Sequence, residues 1–363
     1  MDRKIWEDCL FLEGEQDIKE HFSTSEKILL ILGKGFDPRQ CRILEKMKST
    51  VCELTVCLVN YSEQATVRDD MRNESRSQKN YEYFKELSVD LKCFELDIPM
   101  YRGDVGKKIL VISESVRSAF NLDSLKCYKN IAIDISAMPR GVGFSIIKRI
   151  VDLRSEYQKI HILVCENSQY DDKIRPVIVS DSAEFLPGFN TFSMSMEQDN
   201  DETIWFPILG FQEEAFSMIA DYLKPIEICP VVPFPSRDIR RGENILRSCG
   251  NLLFQEYAVE RRNIIYVPEN NPLLVYKKLY DTVMYYEQAF QVDNNMTQRY
   301  AFSAQSSKLI DIGMLLAMMD LGKRNIKVGV VVVENNGYTV EEEYSEENEK
   351  LYCLCLNDTI YDW

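Results

Sequence analysis

Histidine is almost missing from this chain. Its 363 residues include two, His21 and His161, so the side chain most often used as a general base is nearly absent. No Ser-His-Asp arrangement, His-Glu-x-x-His or Gly-x-Ser-x-Gly spacing can be read. His161 stands between Ile160 and Ile162 in a strand-like run, the setting of a packed or sheet-bonded residue rather than a base. The glycine loops that cradle phosphates are missing too. Gly-x-x-x-x-Gly-Lys-Ser/Thr does not occur, and Gly103-Asp-Val-Gly-Lys-Lys108 lacks both its spacing and its hydroxyl. Gly-x-Gly-x-x-Gly is absent, so no nicotinamide cofactor is expected, nor any other. No apolar run approaches the roughly 18 residues of a membrane helix. Positive charge is scarce: 43 Lys and Arg stand against 58 Asp and Glu, a formal net charge of −15. Such a surface repels phosphate backbones and disfavours general nucleic-acid binding. Local cationic loops therefore carry more meaning here than in a basic protein.

Cysteine is plentiful, with eleven residues. Cys57, Cys165 and Cys229 lie in or beside strand-like runs, and Cys52 and Cys93 flank others, as small core residues do. The N-terminus, Met1-Asp-Arg-Lys-Ile-Trp-Glu-Asp, is polar and has no signal-peptide character. A reduced cytoplasmic location is expected. Cys353 and Cys355 form a Cys-x-Cys with no second Cys or His pair near them in sequence, so no zinc or other metal site is expected.

The chain says one thing twice. Ile131-Ala-Ile-Asp-Ile-Ser-Ala-Met-Pro-Arg140 opens a segment that closes with Ile160-His-Ile-Leu-Val-Cys-Glu-Asn167. Tyr300-Ala-Phe-Ser-Ala-Gln-Ser-Ser-Lys308 opens one that closes with Ile326-Lys-Val-Gly-Val-Val-Val-Val-Glu-Asn335. The offset is equal at both ends, 308 − 140 = 168 and 335 − 167 = 168. Each segment reads as strand, Ser-containing loop ending in a cation, apolar helix and strand. After a short amphipathic lead-in of about 25 residues, Lys27-Ile-Leu-Leu-Ile-Leu-Gly33 is the continuous apolar run of a strand covered on both faces. Further strands are expected over 54–60, 91–96 and 131–135, with an exposed loop or helix start over about 64–78 and a helix over 107–120. Residues from about Phe185 to Glu202, with Pro187, Gly188 and the acidic 197–202, mark a boundary. Beyond it the programme restarts with strands over 204–210, 227–233 and 263–267, helices over 212–223 and 272–290, an acidic turn over 340–349 and a late strand over 351–356. The pattern predicts an α/β protein of two Rossmann-like halves with mainly parallel sheets, related by internal duplication and spanning 1–195 and 200–363.

In such sheets ligands lie beyond the carboxyl ends of the strands. The loops expected there carry Lys34 and Arg39; Ser136 and Arg140; Arg237, Arg240 and Arg241; and Ser306, Ser307 and Lys308. Backbone N–H groups at a helix start, with hydroxyls and a cation, suit phosphate or another anion. Each group has a plain structural reading as well. Gly33-Lys-Gly reads as a tight turn, the arginines as a solvated loop and Ser306-Ser-Lys308 as a helix cap. Asp37, Asp134, Glu166, Glu269 and Glu334 stand at or near strand ends, as structural carboxylates or as catalytic ones. Glu166-Asn167 and Glu334-Asn335 read as turn caps.

The run from the strand through Ser303-Ala-Gln-Ser-Ser-Lys308 and its helix to Val328-Gly-Val-Val-Val-Val-Glu334 resembles the signature region of CRISPR-associated Rossmann-fold (CARF) domains. It is similar also to SAVED domains, in which two CARF-like halves share one chain. The resemblance covers the two repeat cores. It implies that Ser306, Ser307 and Lys308, and more loosely Ser136 and Arg140, hold a nucleotide phosphate. This chain lacks the glycine usual in that loop and has Met138-Pro139 in the first copy. The resemblance implies a sensor of a phosphorylated nucleotide signal in prokaryotic antiviral defence. No Arg-x-x-x-x-His effector motif occurs, so the effector would be a separate protein. The alternatives are a non-catalytic interaction subunit of a defence complex and a nucleotide-acting enzyme that uses carboxylates.

Overall fold

The computed structural model describes residues 3–25, 27–62, 70–103, 109–155, 158–171, 174–176, 179–192, 202–290, 298–335, 338–340 and 344–359. Most of the acidic 197–202 stretch, residues 104–108 of the lysine loop and residues 341–343 of the acidic turn lie outside them. The chain divides into two compact units. The first is Asp8–Ile178 with Asn336–Trp363, and the second is Met1–Glu7 with Val179–Asn335.

In chain order the first unit contains β1 (Cys9–Glu13), α1 (Glu15–Ser23), β2 (Lys27–Gly33), α2 (Arg42–Lys48), β3 (Glu53–Ser62), α3 (Asp70–Leu87), β4 (Lys92–Pro99), β5 (Tyr101–Arg102), β6 (Ile109–Leu110), α4 (Ile112–Ala119), α5 (Leu122–Leu125), β7 (Asn130–Asp134), α6 (Arg140–Leu153), β8 (Lys159–Glu166), α7 (Ser168–Asp171) and β9 (Ile174–Pro176). The second unit contains β10 (Val179–Asn190), β11 (Glu202–Ile208), α8 (Glu213–Leu223), β12 (Glu227–Ile228), β13 (Val231–Pro233), α9 (Arg241–Ser248), β14 (Ile265–Val267), α10 (Pro272–Phe290), β15 (Gln298–Ala304), α11 (Lys308–Lys323) and β16 (Val328–Asn335). The chain then returns to the first unit with β17 (Tyr338–Val340) and β18 (Lys350–Thr359).

The two sheets have one topology. The first runs β1-β18-β8-β7-β2-β3-β4 and the second β10-β16-β15-β11-β13-β14, with β12 beside β11. Numbered by order of appearance, the parallel strands of each sheet lie 3-2-1-4-5. This is a doubly wound arrangement, two mainly parallel Rossmann-like sheets in an α/β protein. Arg140 and Lys308, equivalent in the sequence repeat, are the first residues of α6 and α11.

The fifth parallel strand of each sheet is covered by an antiparallel neighbour, and the two neighbours are exchanged. β10 follows β8 in sequence yet pairs with β16. β18 follows β16 yet pairs with β8, His161 facing Cys355. Their separation, 350 − 179 = 171, is close to the repeat spacing, so each copy of the repeat ends in a strand that completes the other's sheet. A cut between 195 and 200 follows the repeat and not the compact units. Residues 185–190 are not linker. Pro187 and Gly188, with φ +80°, lie where the register of β10 shifts against β16, so signals read as a boundary are those of a bulged strand.

Three smaller expectations change as well. The lead-in splits: the Ile5 backbone N–H donates to Asp320 Oδ2 at 3.0 Å in the second unit, while β1 edges the first sheet through β18. The polar segment before 78 enters the 18-residue helix α3, whose apolar Phe84 is buried; residues 63–69 lie outside the described residues. The strand expected over 227–233 is interrupted at Pro230, which has no N–H for the ladder, giving β12 and β13.

The cores follow from the apolar runs. Every residue of β2 after Lys27 is buried. In α11 everything from Leu309 to Leu321 is buried, as in a helix apolar all round. Buried Asp320 is satisfied by Ile5, by the Tyr276 hydroxyl at 2.5 Å and by Arg324 Nε at 2.9 Å.

At both switch points, where the strand order reverses, a loop of the chain packs closely on a glycine. In the first unit the loop after β7 lies on the glycines after β2: a Cβ on Gly33 would come within 2.6 Å of Met138 Cγ, and one on Gly35 would strike the Tyr61 hydroxyl. Tyr61 in turn donates to the Ala137 carbonyl at 3.1 Å. In the second unit the loop after β15 crosses Gly210, where a Cβ would collide with the Gln305 carbonyl oxygen. A backbone carbonyl cannot yield as a side chain can. Gly210→Ala should therefore cost about 2 kcal/mol or more of stability, read as a lower urea midpoint at unchanged m-value.

Candidate functional site

The loops at the carboxyl ends of the parallel strands carry the predicted cations. In the first unit they are largely engaged by the fold. Arg39, 2% exposed, binds Asp37 at 2.7 Å and Asp171 at 2.8 Å, and its Nη1 donates to the Cys165 carbonyl at 3.4 Å. Burial alone would lower this guanidinium; Asp171 and Asp37 outweigh it and hold it above the ordinary arginine range. Arg39 thus clamps its loop to the segment after β8 instead of facing a ligand. Ser136 is fully buried. Its hydroxyl donates to Asp134 Oδ1 at 2.5 Å and accepts from the Cys165 N–H at 2.7 Å. Ser136 and Asp134 therefore tie β7 to β8, which engages the Ser136 hydroxyl expected to hold a phosphate and agrees with the structural reading of Asp134. Asn167 accepts from the Tyr170 N–H at 3.2 Å and so caps a turn as expected. Lys34 is half-buried with its ammonium 3.9 Å from the Tyr81 ring centroid, a cation–π contact. Arg140 is half-buried at the start of α6.

The second unit gathers the rest. Here the loops after β13, β14 and β15 converge on Glu269, 4% exposed. Glu269 Oε1 pairs with Nε of Arg241, 8% exposed, at 2.9 Å, and Oε2 accepts the Arg237 N–H at 3.3 Å. The Ser307 hydroxyl reaches the Glu269 carbonyl at 3.5 Å and also accepts from the Ile310 N–H, capping α11. Ser306 is buried beside it, and Lys308 opens the helix, half-buried. Arg240 is exposed; its N–H donates to Asp238 Oδ1 at 3.0 Å. Arg237, Arg240, Arg241, Ser306, Ser307 and Lys308 thus lie on one lip of one sheet, with Glu269 and Asp238 the carboxylates named among them. Ser307 is a cap, as one of its readings held, and it is also part of this cluster.

Some contacts were beyond a linear reading. Tyr81 under Lys34, Asp171 on Arg39 and the Arg241–Glu269 pair each join positions far apart in sequence. The two histidines and the Cys-x-Cys also meet, in the core of the first unit: His21, His161 and Cys355 have ligand atoms within 4.8 Å of one another.

The buried thiols are poor nucleophiles. Burial pushes Cys41 and Cys229 up to about 12 and Cys249 up to about 11; for Cys355 the neighbouring Cys353 thiol leads, then burial, to about 12. Cys52, Cys93 and Cys127 are exposed.

No protein-family model matches the chain, and no curated protein does. Among solved structures it is similar to the B. subtilis m1A22 tRNA methyltransferase TrmK, at 8% identity over 47% of this chain and 61% of that one, with TM-score 0.22. It is similar also to a universal stress protein from Archaeoglobus fulgidus, at 12% identity over 83% and 95%, TM-score 0.23. A third is coclaurine N-methyltransferase, at 9% identity over 94% and 70%, TM-score 0.23. The chain spans about three fifths of the tRNA methyltransferase chains it matches. Likeness at this level says nothing of activity. No described helix is long and apolar enough to cross a membrane.

Two outcomes follow. Glu269→Gln leaves Arg241 buried without its counter-charge and should cost about 3 kcal/mol in urea unfolding, most of it recovered by adding Arg241→Met. A disulfide reagent at pH 8 should label Cys52, Cys93 and Cys127 first; Cys41, Cys229 and Cys249, buried and still protonated there, should react only after denaturation.

Proposed function

We propose that this protein is a non-catalytic binding module for a small phosphorylated ligand, held on the carboxyl lip of the second unit's sheet. The observation that carries this reading is that the loops bearing Arg237, Arg241 and Ser307 meet at Glu269, with Arg240 in the same loop and Lys308 next to Ser307, in a chain of net charge −15. Glu269 neutralises Arg241 and fixes the loop, and the exposed Arg240 beside it provides attraction for an anion. The resemblance of the repeat cores to CARF and SAVED domains makes the ligand a nucleotide signal of prokaryotic antiviral defence, and the effector a separate cytoplasmic protein.

A second reading, an interaction subunit that needs no ligand, is supported by the loops packed closely on Gly33 and Gly210. The carboxylate-enzyme reading loses its main actors, because Asp37 and Asp134 are spent on Arg39 and Ser136.

Titration calorimetry with inorganic phosphate, adenine mononucleotides and short linear and cyclic oligoadenylates tests the proposal. At least one nucleotide should bind, with Arg240→Ala and Lys308→Ala each weakening it about tenfold or more, the loss of one charge-assisted contact. Added salt should weaken it further. Binding unchanged in both variants, or a stoichiometric protein complex formed with no nucleotide present, would favour the second reading.

A further inference from the structure

We infer that the first unit contains a structural zinc site formed by His21, His161, Cys353 and Cys355. Three elements supply the donors: the last turn of α1 gives His21, β8 gives His161, and β18 gives both cysteines from one face, two residues apart. Cys353 Sγ lies 3.7 Å from Cys355 Sγ. Cys355 Sγ lies 3.3 Å from His161 Nδ1 and 3.5 Å from His21 Nε2. Tetrahedral zinc with bonds of about 2.3 Å to sulfur and about 2.05 Å to nitrogen has edges of about 3.8 Å between sulfurs and about 3.5 Å between sulfur and nitrogen. The three measured separations fall at these edges; His21, His161 and Cys355 have their ligand atoms within 4.8 Å of one another, while Cys353 stands outside that group and would turn toward the histidines to complete the sphere.

The outer shell fits the same reading. Asn130 Oδ1 lies 3.3 Å from His161 Nε2. An N–H at Nε2 donates to it and leaves the lone pair of Nδ1 facing Cys355, as second-shell partners of metal-bound imidazoles do. The chain has no other histidine than these two, and folding brings both to one Cys-x-Cys. All four donors are polar groups in a region otherwise packed with apolar residues such as Phe22 and Leu163. Two sulfurs and two imidazole nitrogens select zinc over magnesium or calcium. With Cys353 turned toward the ion, four protein donors would close the coordination sphere, and the ion would be structural rather than catalytic. It would staple β18, the exchanged strand, to β8 and α1.

Full-length protein purified under reducing conditions should carry about one zinc per chain by elemental analysis. After removal of the metal under denaturing conditions and refolding with cobalt(II), it should show the visible bands of a tetrahedral ion and a thiolate-to-metal charge-transfer band. Cys353→Ser should reduce that band while the fold persists, and His21→Gln should change the visible bands. Asn130→Ala, which removes only the outer partner, should weaken zinc about tenfold. Affinity should rise with pH because both thiols release protons on binding. Cys93→Ser, exposed and remote, should leave every readout unchanged. Refolded wild-type protein that takes up no zinc or cobalt overturns the assignment, as does uptake indifferent to Cys353→Ser and His21→Gln. Iron with acid-labile sulfide would overturn it too.

Discussion

The pairing of β8 with β18, and of β16 with β10, is the constraint on which the rest of the architecture depends. A parallel sheet of five strands ends at its fifth strand in a row of unpaired N–H and C=O groups, and an open edge of that kind must be covered or blunted. Here each edge is covered by an antiparallel strand from the other copy of the repeat. The exchange explains why the compact units are not continuous in sequence. It also explains why a segment with Pro187 and Gly188 is a strand: a bulge is tolerated in an antiparallel pair at the end of a sheet.

With the edges sealed, the polar groups at the carboxyl ends of the strands divide into two kinds. Those of the first unit are consumed by the fold. Arg39 is held between two aspartates, and Ser136 and Asp134 lace β7 to β8. Those of the second unit keep one carboxylate, Glu269, at the centre of a cationic lip. Two copies of one sequence pattern have thus diverged in use. Where the first copy has Met138 lying on Gly33, the second has a backbone carbonyl over Gly210.

Much of the fold was legible because buried parallel strands write themselves as unbroken apolar runs. Lys27–Gly33, the strands at 131 and 160, and their counterparts at 300 and 326 are of this type, and the equal offset at both ends of the repeat identified the duplication. β10 was obscured because Pro and Gly are read as breakers without knowledge of the partner strand. α3 was obscured because a solvated helix with few apolar residues has the composition of a loop. The site residues were found by type, since cations and serines after strands are visible in sequence. Their fates were not, because Asp171, Glu269 and Tyr81 meet Arg39, Arg241 and Lys34 only through the topology. The same blindness hid the four Cys and His donors, which are spread over more than three hundred positions and joined by strand exchange.

The exchange also orders events during synthesis. A ribosome that has released the first two hundred residues has made all five parallel strands of the first sheet, but not the strand that seals it. Of the described strands, β18 is made last. Until then the edge of β8 is exposed on the nascent chain, and the newly made β10 has no β16 to join. A strand made late therefore decides whether a sheet begun far earlier is finished, and a chain cut short anywhere before residue 350 would leave that sheet open at one side.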